Sequence, residues 1–188
     1  MSLPEADLRA LLDKQAITDQ LANYCRACDR LDKELGYGVF HEDSTADYGA
    51  EVYQGPGRGF IDSVCAAHLH CVNHSHQVCN SIIALDGDLA GSETYFHSAT
   101  RLMQDGKVMQ IRVWGRYLDE WSRRDGQWRI DNRLTLFDFD EIRVHSRRPE
   151  SRNAFAETLA RDLGKPVVAT ADWKSCVRGA DIVVEASR

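Results

Sequence analysis

The chain has 188 residues, 43% hydrophobic and 28% charged, which is the make-up of a globular protein with one sizeable core and room for an appendage. A formal net charge of −6 and the lack of any basic run argue against a nucleic-acid partner, and no apolar stretch reaches the ~20 residues of a membrane span. The start, MSLPEADLRALL, has no basic segment followed by an apolar one, so no secretory leader is expected and the cytoplasm is the expected compartment. Six cysteines in that setting are expected to be reduced thiols.

Leu8, Leu11 and Leu12 outline a short first helix, and a longer one is expected from about Asp13 to Arg30. Ile17, Leu21, Tyr24, Cys25 and Cys28 recur along it at helical spacing. The Cys25-x-x-Cys28 pair lies on that apolar stripe and has no second pair to complete a metal site, so it reads as buried core. Asp29 falls at the C-terminal end, where the helix dipole is negative and a carboxylate needs a compensating donor or cation. Two accounts stay open there: a solvated acid beside Arg30 and Asp32, or an acid turned inward to hold an imidazole.

Past Gly36 and Gly38 a short strand is expected from Ser44 to Tyr48, then turn material in QGPGRGF. Phe60 to about His70 reads as a helix with Ile61, Val64, Cys65 and His68 on one stripe. The stretch from His68 to Leu102 reads as a β-hairpin about an Asp86-Gly87-Asp88 turn. Strict alternation would put His76, Val78, Asn80, Ile82 and Ala84 on one face of its first strand, lining an apolar cavity with a polar end. The same rule groups Glu93, Tyr95 and His97 on the second strand. Val108 to Trp121 and Trp128 to about Phe137 are further strands, joined at Arg124-Asp125-Gly126. Helices first and antiparallel strands after predict an α+β domain, a curved sheet closed by helices into a cone with an interior pocket.

Four segments resemble the SnoaL-like branch of the NTF2-like superfamily: ITDQLANYCRACDRLD, FHEDSTADYG, HQVCNSIIALDGDLAGSETYF and GRYLDEWSRRDGQWRI, the last being the most specific. They cover most of residues 1–138, expected to form one domain of this type. The resemblance implies an NTF2-like cone that binds a small apolar molecule. It also implies kinship with lyases that work without a cofactor, such as scytalone dehydratase, bile acid dehydratase and hexachlorocyclohexane dehydrochlorinase.

Elimination without a cofactor needs a base near neutrality, a group that fixes its tautomer, and donors for the departing group. The resemblance places the base at His76 and its carboxylate partner at Asp29. It makes Tyr24 a helper in catalysis, Arg133 a donor to the leaving group, and His97 an extra acid–base candidate. Against these stand plainer roles: Tyr24 as core, Arg133 on an outer face, and His74 as a rival to His76 by strand register. The His68-x-His70 and His74-x-His76 pairs, near Cys65 and Cys71, form no tight tetrahedral pattern, so no metal is expected.

From about residue 139 the chain resembles a partial ornithine cyclodeaminase segment of Rossmann type. The expected order is strand Ile142–His145, helix Pro149–Leu163, strand Val167–Thr170, helix Trp173–Arg178 and strand Ile182–Ala186. No G-x-G-x-x-G occurs, so the pyrophosphate of a dinucleotide has no seat and no cofactor is expected. Such a truncated α/β tail has no covering layer of its own, so it is expected to pack on the cone, pair with another chain or stay loose.

The leading expectation is a SnoaL-like lyase, dehydratase or isomerase for a small apolar cyclic substrate, with His76 and Asp29 as a general-base pair. The alternatives are a non-catalytic ligand-binding module and, from the tail alone, a fragment of a nicotinamide-dependent enzyme. A homodimer or homotrimer is expected from the resemblance and from Trp114, Tyr117 and Trp121, taken together as an open apolar sheet face.

Overall fold

The structure, a computed structural model, describes residues 4–104, 106–138, 142–163 and 167–177. The chain divides into two compact units, Met1–Phe137 and Asp138–Arg188.

The first unit opens with a single helix, α1 (Glu5–Arg30), rather than a short and a long one. Ile17, Leu21, Tyr24, Ala27 and Cys28 form its buried stripe, whereas Leu8, Leu11 and Leu12 lie exposed on its first turns. Leu31 ends it in the left-handed region, and Asp32 caps α2 (Lys33–Val39) by accepting from the Leu35 N–H. The strand β1 (Phe40–Asp47) follows, then β2 (Gln54–Pro56) and α3 (Gly57–His68). The long strands β3 (Cys71–Asp86), β4 (Leu89–Gln104), β5 (Lys107–Arg124) and β6 (Gln127–Phe137) complete the unit. Gly87 (φ 61°) and the Asp125-Gly126 pair (φ 53° and 77°) supply the left-handed residues of two hairpin turns.

All six strands form one sheet in the order β2-β1-β6-β5-β4-β3. β1 joins β6 in parallel, so the sheet is not wholly antiparallel as the sequence order suggests. The helices cover one face, where Phe40, Tyr48, Phe60, Ile61, Phe96, Tyr117, Trp121, Trp128 and Ile130 are buried. Gly115 lets β5 pass close to Phe96 and β6: a Cβ there would clash with the Leu136 carbonyl oxygen and the Phe96 ring.

Two one-residue irregularities decide which side chains face inward. In β3, Val78 pairs with Phe96 but Ser81 pairs with Thr94, so Cys79 and Asn80 together oppose one residue of β4. The inward set therefore changes from even to odd numbers. His76 and Val78 face the core before the bulge, and Ile83 and Leu85 face it afterwards. Asn80, Ile82 and Ala84, expected to share the His76 face, are exposed, with Ile82 at 70%. In β6, Trp121 pairs with Ile130 but Glu120 pairs with Asn132, which leaves Asp131 as an extra residue. That slip carries Arg133 to the inner face, where strict alternation from Trp128 and Ile130 would have turned it outward.

Trp114, Tyr117 and Trp121 do not make one open face. Tyr117 and Trp121 are buried, and Trp114 lies across the sheet beside His97. Odd and even positions of one strand point to opposite sides.

The second unit contains β7 (Ile142–Val144), α4 (Pro149–Leu163), β8 (Val167–Ala169) and α5 (Trp173–Val177). β7 and β8 pair in parallel, as a strand–helix–strand unit requires. Phe155 and Trp173 are exposed on its helices. The strand expected at Ile182–Ala186, and Arg178, lie outside the described residues.

Candidate active site

Asp29 stands in the last turn of α1, and two donors from β3 meet its carboxylate there. The His76 ring Nδ1 lies 2.8 Å from Oδ1, and the His76 backbone N–H donates to Oδ1 and Oδ2 at 2.9 and 3.1 Å. These contacts offset the negative end of the helix and hold the acid inward. Of the two accounts of Asp29, the structure has the inward one. Burial works to raise the Asp29 carboxyl, but the His76 ring and backbone N–H groups outweigh it and hold the carboxyl below its ordinary value. A carboxylate can only accept, so Nδ1 carries a proton in this contact, and whenever the ring is neutral its lone pair is on Nε2.

Two more imidazoles adjoin this pair. His74 precedes His76 by two residues on the same side of β3, and His68 closes α3. The His68 ring stacks on His74 with centroids 4.2 Å apart and lies 5.2 Å from His76. Burial first, then the neighbouring His76 and His74 rings, push the His68 imidazole down to about 4. His74 thus joins the same cluster as His76 while the Asp29 contact goes to His76. Among the described residues no set of three or more His, Cys, Asp or Glu side chains is arranged to hold a metal ion.

Tyr24 and Arg133 belong to a second, deeper grouping. Arg133 is fully buried and forms a two-pronged pair with Asp119, Nε to Oδ1 at 2.7 Å and Nη2 to Oδ2 at 2.8 Å. Its guanidinium lies 4.3 Å from the Tyr24 ring centre and 4.0 Å from that of Tyr117. Burial would favour losing the charge, but the Asp119 carboxylate beside it keeps the Arg133 guanidinium strongly protonated. The hydroxyls of Tyr24 and Tyr48 share a hydrogen bond of 2.8 Å, and Arg133 Nη1 donates to Tyr48 at 3.4 Å. Burial raises both phenols well above their ordinary range for Tyr24, and to about 12 for Tyr48. Phe60 stacks on Tyr48 at 3.7 Å and Phe96 on Tyr117 at 4.2 Å. The Cys25 thiol, pushed up to about 11 by burial, feels the charges of both Arg133 and Asp29 and so marks the ground between the two groupings.

His97 is on neither. It pairs across β4 and β5 with Trp114, stacks on that ring at 4.6 Å and meets Gln77 Oε1 at 3.2 Å, on the sheet face away from the buried cluster. Tyr48 and Asp119 are the site residues that the sequence reading missed. Asp119 carried a signal, since period two places it between Tyr117 and Trp121 on the inner face of β5, where an unpaired acid is not tolerated. Tyr48 carried only its place just after β1.

No curated protein matches the chain by sequence. Among solved structures, a putative scytalone dehydratase from Novosphingobium aromaticivorans is similar at 20% identity and a TM-score of 0.61, over 69% of this chain and 87% of that one. The LinA-type3 hexachlorocyclohexane dehydrochlorinase from Novosphingobium barchaimii is similar at 18% identity and a TM-score of 0.60, over 71% and 91%. An NTF2-like superfamily protein from Salmonella enterica gives 18% identity and a TM-score of 0.57, over 66% and 89%. At these identities what is shared is the NTF2-like fold. Residues 131–188 match the ornithine cyclodeaminase/mu-crystallin family, a partial segment of α/β type. The SnoaL-like domain matches residues 9–134, which include the long helix, the hairpin and the Arg133 strand, and the chain belongs to that family.

Proposed function

We propose that the first unit is a cofactor-independent lyase of dehydratase type, or an isomerase, acting on a small apolar cyclic substrate. The observation that carries this reading is the 2.8 Å contact between His76 Nδ1 and Asp29, which leaves Nε2 as a proton acceptor. His76 would take a proton from a carbon beside an activating group. The electrons of that C–H bond form the new double bond as the leaving group departs with its own bonding pair. Asp29 holds the tautomer and stabilises the imidazolium that results. Tyr24 and Arg133 supply the donors toward the departing group, with Asp119 fixing the guanidinium plane. The dehydratase and dehydrochlorinase named among the similar structures make elimination the favoured chemistry.

The second reading is a binding module without chemistry, and one observation favours it. Arg133 and Tyr24 are closed off by packed rings, at 0% and 1% exposure, so a ligand must part that cluster to reach them. Turnover of a panel of small cyclic alcohols, halides and enones separates the readings. With a true substrate, His76→Ala and Asp29→Asn are expected to lower the rate by about 10²–10⁴. Equal rates in His76→Ala and the wild type would refute the general-base role. Binding without turnover across the panel would favour the module.

A further inference from the structure

The first turns of α1 carry a second apolar stripe, made of Leu8, Leu11 and Leu12. Leu8 precedes Ile17 of the buried stripe by nine residues, and Leu12 precedes Leu21 by the same number. Nine residues are two and a half helical turns, so both leucines point directly away from the sheet. Leu11 stands one turn from Leu8 on that outer side. The three side chains are 48–58% exposed. Single exposed leucines are commonplace, but three adjoining ones on one helix face form a patch, and such patches mark contacts. The stripe stops at Gln15 and Asp19, whose side chains bond to each other at 2.7 Å. On the inner side the helix is held at the same level, where Asp13 accepts from Trp128 Nε1, Arg123 and Arg9.

We propose that this stripe is a docking seam for a second copy of the chain, whose own α1 packs on it antiparallel. The charges beside the leucines select that occupant and that direction. Asp7 and Lys14 are seven residues apart, so they share one flank of the stripe, next to Leu11. Both are exposed, and neither has an ion-pair partner among the described residues. A two-fold axis passing near Ala10 sets Leu8 against the partner's Leu12 and each Asp7 beside the partner's Lys14. Opposite charges then meet twice, and Glu5 falls beside the partner's Gln15, a neutral residue. Parallel pairing would instead set Asp7 against Asp7 and Lys14 against Lys14, with repulsion at both places. Three leucines from each copy over about three turns make a contact below the ~1,200 Å² of a stable interface. The association is therefore weak and concentration-dependent, half complete between about 10 μM and 1 mM.

The test is sedimentation equilibrium of the full chain from about 10 μM to 1 mM. It compares the wild type with Leu8→Ser/Leu12→Ser, Asp7→Lys, Lys14→Asp and the double swap Asp7→Lys/Lys14→Asp. All four positions are exposed, so the variants are expected to fold, and thermal melts check that they do. The seam lies about 30 Å along α1 from Asp29, so the variants leave the His76–Asp29 pair alone. Leu8→Ser/Leu12→Ser is expected to weaken the association at least about tenfold. Each single charge swap places like charges together twice and is expected to weaken it about tenfold, whereas the double swap restores the wild-type constant. No association of the wild type up to about 1 mM would overturn the seam and leave the leucines to a different partner. Association as strong in Leu8→Ser/Leu12→Ser as in the wild type would overturn it in favour of another surface. A double swap no better than either single swap would overturn the antiparallel pairing.

Discussion

The Arg133–Asp119 pair offers a large perturbation of the buried interior. Both side chains are fully buried, and two charge-assisted hydrogen bonds of 2.7 and 2.8 Å join them. Asp119→Asn keeps the shape and creates no cavity, but it leaves a buried guanidinium without its counter-charge. Removing one partner of a buried pair costs about 3–5 kcal/mol. The amide can still accept one of the two bonds, and the Tyr24 and Tyr117 rings still face the cation at 4.3 and 4.0 Å. The expected loss is therefore near the lower bound, about 3 kcal/mol, or roughly 10 °C in melting temperature for a unit of this size. Chemical denaturation and thermal melts of the two proteins give the number. A double variant, Asp119→Leu with Arg133→Met, is expected to recover most of the loss, because it removes the stranded charge as well. A melting temperature for Asp119→Asn within about 2 °C of the wild type would show that the pair is solvated, and the account of the interior would fail.

Two further outcomes follow from the bulge and from the histidine cluster. Ile82→Lys, at a side chain 70% exposed, is expected to change stability by no more than about 0.5 kcal/mol. Ile83→Lys, one residue on but packed against the core, is expected to cost more than about 2 kcal/mol. The reverse order in urea melts would move the bulge. His68 titrates at about 4 in the folded chain against 6.5 when unperturbed, so between those values the unfolded chain binds the extra proton. Its contribution to stability is full above pH 6.5 and is lost as the pH falls toward 4. His68→Gln should therefore flatten the pH dependence of the unfolding free energy across that window, and an unaltered slope would place the His68 ring in water.

Whatever depends on local pattern is legible in the sequence. The apolar stripe of Ile17, Leu21, Tyr24 and Cys28 fixes which side of α1 is buried, because helical spacing aligns these residues whatever they later touch. Turns at Gly87 and Gly126 are fixed by residues able to adopt positive φ, and with them the hairpin pairing of β3 with β4 and β5 with β6. The four quoted segments carried the family, and with it the pairing of His76 with Asp29 as a candidate. Where alternation breaks is visible only in the folded chain. One extra residue at Cys79–Asn80 turned Ile82 to solvent and Ile83 to the core, and one at Asp131 turned Arg133 inward onto Asp119. A bulge inserts a residue without any required composition, so its site is set by how the strand must bend to cover the helices. The same holds for His97, Tyr48 and the stacked His68 and His74. Their partners lie 17, 24 and 6 residues or more away in the chain, and only the folded sheet with its helices brings them together.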